Sequence, residues 1–170
     1  MMYKWIGAVL VMAGCGGAGF AMAAAYRREE QELRRLTAGL DYMACELQYR
    51  LTPLPDLCRQ AGTDIRGVSG KALCALAQEL ECNTHPDVES SMIEALCTCP
   101  EMNGRLKEAF LLLGSGMGRF DTGGQLRNLE AVRSYCRREL ETMSAGRDNR
   151  LRSFQTLGLC AGAALAILFV

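Results

Sequence analysis

The chain has 170 residues, of which 19 are basic and 19 acidic, so its formal net charge at pH 7 is zero. No positive field is available to hold phosphate backbones, which argues against a nucleic-acid ligand. A single histidine excludes a two-His metal site within one chain, and the carboxylates form no catalytic pair in the sequence, so no enzyme chemistry is expected and no cofactor is implied.

The charges are concentrated. Apart from Lys4 and the chain ends, every charged group lies between Arg27 and Arg152. Removing Lys4 leaves 18 basic against 19 acidic residues in that stretch, a net charge of −1. On either side lie uncharged segments of 22 residues (5–26) and 18 residues (153–170). A bilayer core about 30 Å thick needs roughly 20 apolar residues in a spanning helix, with about 17 as the lower limit. Both segments are therefore expected to be transmembrane helices holding a middle domain, residues 27–152, by both ends.

In chain order, the first segment has three competing readings. Lys4 followed by an apolar run fits a cleaved signal peptide, but Arg27-Arg28 and the spanning length argue against it. Met12-Ala13-Gly14-Cys15 has the look of a lipoprotein site, yet the apolar run continues to Ala25. A buried helix of a soluble protein would need a large covering partner. Small residues at Ala13, Gly17, Ala21 and Ala25 recur every four positions, a spacing that lets a second helix pack closely. The natural partner is the last segment, with Gly158 and Gly162. Arg27, Arg28, Arg34 and Arg35 follow the first segment, and Arg137, Arg138, Arg147, Arg150 and Arg152 precede the second. Positive flanks stay on the cytoplasmic side, so both edges place the middle domain in the cytoplasm. With the domain placed there, the nine cysteines of the chain read as reduced thiols acting as small apolar side chains.

The middle domain has helical spacing throughout. Leu33, Leu36, Leu40, Met43 and Leu47 form one stripe, and no Pro interrupts from Trp5 to Thr52, so one helix is expected to run through both. Thr52-Pro53 is expected to cap a short helix, and Ser69 another carrying Leu73, Leu76 and Leu80. His85-Pro86 breaks the chain before a helix with Val88, Met92, Ile93 and Leu96 inward. Pro100 opens the next, with Leu106, Phe110 and Leu113 inward and Gly114 at its end. Thr122-Gly123-Gly124-Gln125 has the form of a capping box for a helix whose stripe is Leu126, Leu129, Val132, Cys136, Leu140 and Met143. Acidic residues are expected on solvated helix faces. The fold class is all-α, a helical bundle between N- and C-terminal transmembrane helices. Glycines 114, 116 and 118 lack the preceding strand and Lys-Ser/Thr ending of a phosphate loop. Cys82, His85, Cys97 and Cys99 supply ligand types that suit zinc, the basis of an alternative reading as a thiol- or zinc-binding membrane-anchored sensor.

A run of residues carries a family resemblance. It starts with Lys4-Trp5-Ile6-Gly7-Ala8 and Gly19-Phe20, then Arg34-Arg35-Leu36 and Glu46-x-x-Tyr49-x-x-Thr52-Pro53-Leu54. The most specific part is Leu113-Gly114-x-x-Met117-Gly118-x-x-Asp121-x-x-x-Gln125, and Leu157-Gly158-x-x-Ala161-Gly162 closes it. In this order the residues resemble the stage III sporulation protein AB family of endospore-forming bacteria. Between Thr63 and Asn103 only helical character matches, and the many cysteines are not a family feature.

The resemblance implies a membrane scaffold of a secretion-like channel between mother cell and forespore. Its cytoplasmic bundle would be similar to that of type II secretion inner-membrane platform proteins. The implied location is the mother-cell membrane around the engulfed forespore. The implied partners are a cytoplasmic secretion-type ATPase, the other channel proteins of sporulation and, as an oligomer, other copies of the chain. No small-molecule substrate is implied. Within the most specific run, Arg119, Phe120, Asp121 and Gln125 form the candidate docking surface. Capping accounts for Gln125 and in part for Asp121; Arg119 and Phe120 have no such role.

Overall fold

A computed structural model describes the backbone of residues 2–50, 52–82, 86–118 and 121–169, and the side chains of these outside 2–16, 18–19, 146–155, 157–159 and 161–169. The described residues form six helices and no strand: α1 (Met2–Tyr49), α2 (Leu54–Asp64), α3 (Val68–Cys82), α4 (Val88–Cys97), α5 (Gly104–Gly116) and α6 (Thr122–Phe169). The all-α class expected from the spacing is the one observed. The chain divides into two compact units, one made of Met1–Arg28 with Thr142–Val170, the other of Glu29–Glu141.

Among the described residues no helix is long and apolar enough to cross a membrane. The side chains of most of 5–26 and 153–170, the segments expected to span, lie outside the described residues. In the first unit the Tyr26 hydroxyl donates to the Met143 carbonyl oxygen at 3.0 Å, tying α1 to α6. Ala23 and Met143 are buried, whereas Gly17, Ala21 and Ala25 are exposed, and a Cβ on Gly17 would meet nothing within 4 Å. Ala13, Gly158 and Gly162 lie outside the described side chains.

In the second unit the stripe read from sequence is the core of α1: Leu33, Leu36, Leu40 and Met43 are fully buried and Leu47 nearly so. Facing residues come from every other helix, with Leu57 of α2, Leu73 and Leu76 of α3, Met92 of α4, Leu106, Phe110 and Leu113 of α5, and Leu129, Val132 and Cys136 of α6. Burying each such aliphatic contributes about 1.5–3 kcal/mol, the term that holds the bundle together. Ile93 departs from expectation. It is half exposed, because the inward arc of α4 is Ser91, Met92, Ala95 and Leu96.

Side-chain ties fix the direction of each helix. Tyr42 donates to Gln60 at 2.8 Å, and Ile65 packs on Gly39, so α2 runs back along α1. Ser69 at the start of α3 lies beside Glu32. Arg105 at the start of α5 reaches Glu29 and Glu139, while Asn128 of α6 donates to the Leu113 carbonyl near the other end of α5. A Cβ on Gly114 would sit 2.7 Å from Met92 Cβ, so α4 and α5 touch almost backbone to backbone. Each helix is therefore antiparallel to the next. One end of the bundle gathers Glu29, the α2–α3 connection, the α4–α5 connection and Glu139. The other gathers the α1–α2, α3–α4 and α5–α6 connections.

Several helix starts differ from the sequence reading. Ser69 lies inside α3, and the acceptor for its backbone N–H is the Glu32 carboxylate of α1 at 3.1 Å. A charge from a neighbouring helix thus does the work of a local cap, and it complements the positive end of the α3 dipole. Gly67, at φ +102°, makes the left-handed turn that allows the approach. Pro53 is the N-cap of α2 without a side-chain bond, while the Thr52 hydroxyl donates to Glu46 at 3.3 Å. Pro100 sits in a turn, and α5 starts at Gly104, where the Asn103 side chain accepts from Leu106 N–H at 2.9 Å. Gly114 does not end α5, which continues to Gly116.

Glycine sites separate close packing from helix propensity. A Cβ at Gly70 would lie 2.7 Å from the Gly62 carbonyl oxygen and closer still to that of Ile65, both backbone atoms that cannot rotate aside. Gly70→Ala is expected to destabilise the bundle by about 1–3 kcal/mol despite the better helix propensity of Ala. At Gly104 a Cβ would meet nothing within 4 Å, so Gly104→Ala is expected to be neutral or stabilising by up to about 1 kcal/mol. Urea denaturation of the two variants measures both signs.

Candidate partner-docking surface

Of the candidate residues, Asp121 and Gln125 lie at the bundle end formed by the α1–α2, α3–α4 and α5–α6 connections. Asp121 is exposed and precedes α6 directly. Its Oδ1 accepts the Gly124 N–H at 3.0 Å, and its carbonyl accepts the Gln125 N–H at 3.0 Å. Asp121 is thus the N-cap of α6, and Thr122, expected to hold that role, is the first helical residue. A carboxylate at this point both satisfies an orphan donor and faces the positive end of the helix dipole. Gln125 is half-buried one turn into α6. Arg119 and Phe120 lie outside the described residues.

The turn before Asp121 is set by two glycines. Gly118 has φ +81°, and a Cβ there would clash with Val88 Cγ2, so Gly118 presses on the start of α4. Gly116 lies so close to Asn128 that a Cβ would clash with its amide, the same amide that donates to the Leu113 carbonyl at 3.0 Å. Both contacts leave no room for a side chain at either glycine. The glycines of the most specific sequence run therefore serve close packing and the left-handed turn.

Sequence reasoning passed over one exposed side chain here. Tyr49 ends α1 at the same end of the bundle and is 76% exposed. Next to it Arg50, 75% exposed, pairs with Glu46 at 3.6 Å. An exposed aromatic beside an exposed guanidinium is the residue chemistry enriched at interface anchors. The sequence signal was Tyr49 in the resembling run, two positions past Leu47 and so off the buried stripe.

The cysteines are free among the described residues. Cys58, Cys99 and Cys136 are buried, in keeping with their reading as small apolar residues. Of the zinc candidates, Cys82 and Cys97 are exposed, Cys99 is buried, and His85 lies outside the described residues. Among the described residues no group of three or more His, Cys, Asp or Glu could hold a metal ion.

Burial pushes the Cys58 thiol up to about 12, reinforced by nearby Cys74, and the Cys136 thiol up to about 11. Because the folded values lie above the unfolded one near 8.5, these thiols support folding below that pH. The support is lost as pH rises toward about 11 for Cys136 and about 12 for Cys58. Stability measured by urea denaturation is expected to fall from about pH 9 upward, less so in Cys58→Ala after its own cavity cost is subtracted. At the cap, Asp121→Ala is expected to cost about 1 kcal/mol and Asp121→Asn much less, read from the same denaturation curves.

The profile of the stage III sporulation protein AB family matches residues 4–170. No curated protein matches this chain. A solved structure titled stage III sporulation protein AB is similar to it with a TM-score of 0.64 and 14% identity, over 72% of this chain and 98% of that one. At that identity the solved structure speaks for the fold, and the family profile, spanning nearly every residue, speaks for kinship: the chain belongs to the stage III sporulation protein AB family.

Proposed function

We propose that the chain is a non-enzymatic membrane platform of the mother cell–forespore channel, docking a cytoplasmic secretion-type ATPase through its helical bundle. The observation that carries the reading is the family match over residues 4–170, which takes in both uncharged end segments as well as the bundle. Family membership supports a sporulation role. The platform, its partner and its location in the mother-cell membrane around the forespore are the reading proposed here.

Physical features favour a tethered scaffold. Residues 5–26 and 153–170 carry no charge, and arginines crowd the side of each that adjoins the bundle. Moving those arginines across a bilayer is costly, which keeps the bundle in the cytoplasm. With α1 and α6 as tethers, the end of the bundle bearing Tyr49 and Asp121 is the one formed by loops alone, and it is proposed to meet the ATPase. The Arg119–Phe120 pair belongs to the same connection.

Two measurements test the reading. The full chain, solubilised in detergent, is expected to retain the cognate secretion-type ATPase on co-purification; no association with both proteins folded removes the platform mechanism. Topology is tested in cells with the native cysteines replaced. A cysteine at Met2 is expected to react with an impermeant thiol reagent in intact cells. One at the exposed Gln78 is expected to react only after the membrane is opened. Labelling of the Gln78 site in intact cells overturns the cytoplasmic placement and any cytoplasmic ATPase with it.

A further inference from the structure

The core stripe of α1 changes character at one end. Stepping back from Leu47 through Met43, Leu40, Leu36 and Leu33, the next positions at the same spacing are Glu30 and Glu29, then Tyr26. These carboxylates are not on a solvated face. Glu30 is 6% exposed, and the Glu29 and Glu32 side chains are 17% and 14% exposed. Each is met by an arginine: Arg34 at 2.9 Å from Glu30, Arg35 at 2.6 Å from Glu32, and Arg105 at 2.6 Å from Glu29.

Arg105 differs from the other two. Arg34 and Arg35 pair within one turn of their own helix, whereas Arg105 sits on α5 and reaches two other helices. Its Nη1 donates to Glu29 of α1 and its Nε lies 2.8 Å from Glu139 of α6. The guanidinium is planar, always charged, and offers separate donors to two acceptors at once. At this level α1 has no buried aliphatic of its own, because the stripe starts at Leu33. The contact of α1 with α5 and α6 at Glu29 is therefore made by charge, set between the apolar stripe that starts at Leu33 and the Tyr26–Met143 hydrogen bond.

We propose that Arg105 is a clamp holding α1 and α6 together at the Glu29 end of the bundle, and that this end opens as a local unit when the clamp is released. Without the guanidinium, two poorly exposed carboxylates are left facing each other's helices uncompensated, and repulsion replaces attraction. The apolar core from Leu33 onward is untouched, so opening is confined to the end. Arg105 is a positioning residue in this scheme; it holds helices rather than a ligand.

Amide hydrogen exchange on the full chain in detergent tests the clamp. Arg105→Met keeps the apolar stem and removes the charge. Amides of residues 29–33 and 137–141 are expected to exchange at least about ten-fold faster, while those of 57–62 and 72–77 keep their protection. Arg105→Lys, a cation that engages fewer acceptors, is expected to give a smaller change confined to the same amides, and it serves if Arg105→Met does not fold. Raising sodium chloride to about 1 M on the unmodified chain is expected to accelerate the same set. Unchanged exchange at 29–33 and 137–141, or a uniform rise across all helices, overturns the proposal, the second outcome reducing Arg105 to general stabilisation.

Discussion

Helix α1 offers its inner face to four other helices of the bundle, and the rest of the second unit is arranged by what that face can accept. Gly39 admits Ile65 at the end of α2, and Tyr42 reaches Gln60. Glu32 takes the start of α3, Glu29 takes Arg105 of α5, and Asp41 meets Arg133 of α6 at 2.9 Å. Between these ties runs the apolar stripe from Leu33 to Leu47, which supplies most of the burial energy. The rim pairs contribute far less, since partly exposed ion pairs are worth about 0–1 kcal/mol. Their role is directional: they select which helix end meets which part of α1. α4 reaches the core through its neighbours, pressed against α5 where Gly114 admits Met92.

The two ends of this unit are chemically unlike. At one, Glu29, Glu30, Glu32 and Glu139 are drawn partly inside and neutralised by arginines. At the other, three connections present Tyr49, Arg50 and Asp121 outward. A loop-built end suits recognition, and here Gly116 and Gly118 pack closely on Asn128 and Val88. An end joined by charge suits a place where helices part, because ion pairs weaken with distance and salt more gradually than a close-packed core fails.

Particular residues show how far local pattern reaches. The stripes on α1, α5 and α6 were legible because apolar residues at steps of three and four leave few alternatives to a helix with one buried face. The α5–α6 connection was legible as a glycine-rich turn before a cap, although the capping side chain proved to be Asp121 rather than Thr122. Both carry a side-chain oxygen, and only the first helical residue decides between them. Ile93 was misread because α4 is 10 residues long, too few turns for periodicity to separate the buried arc from its flank. Ser69 and Pro100 carried ordinary helix-start signals, but the start of α3 is met by a carboxylate 37 residues away, and a turn absorbs Pro100 before α5 begins.

Sequence by itself determined the all-helical class, the apolar stripe of α1 and α6, the uncharged ends and the arginines beside them, since each follows from residue type and short-range spacing. The tertiary structure alone decided the fate of the acidic residues. Glu29, Glu30 and Glu32 read as solvated charge, because a carboxylate is costly to bury unless a partner waits. For Glu30 and Glu32 an arginine lies within a turn, yet nothing local requires the pair to be enclosed. For Glu29 the partner is Arg105, 76 residues away, brought across by the antiparallel run of the three intervening helices. Periodicity fixes which side of a helix is buried; only the fold fixes what lies opposite.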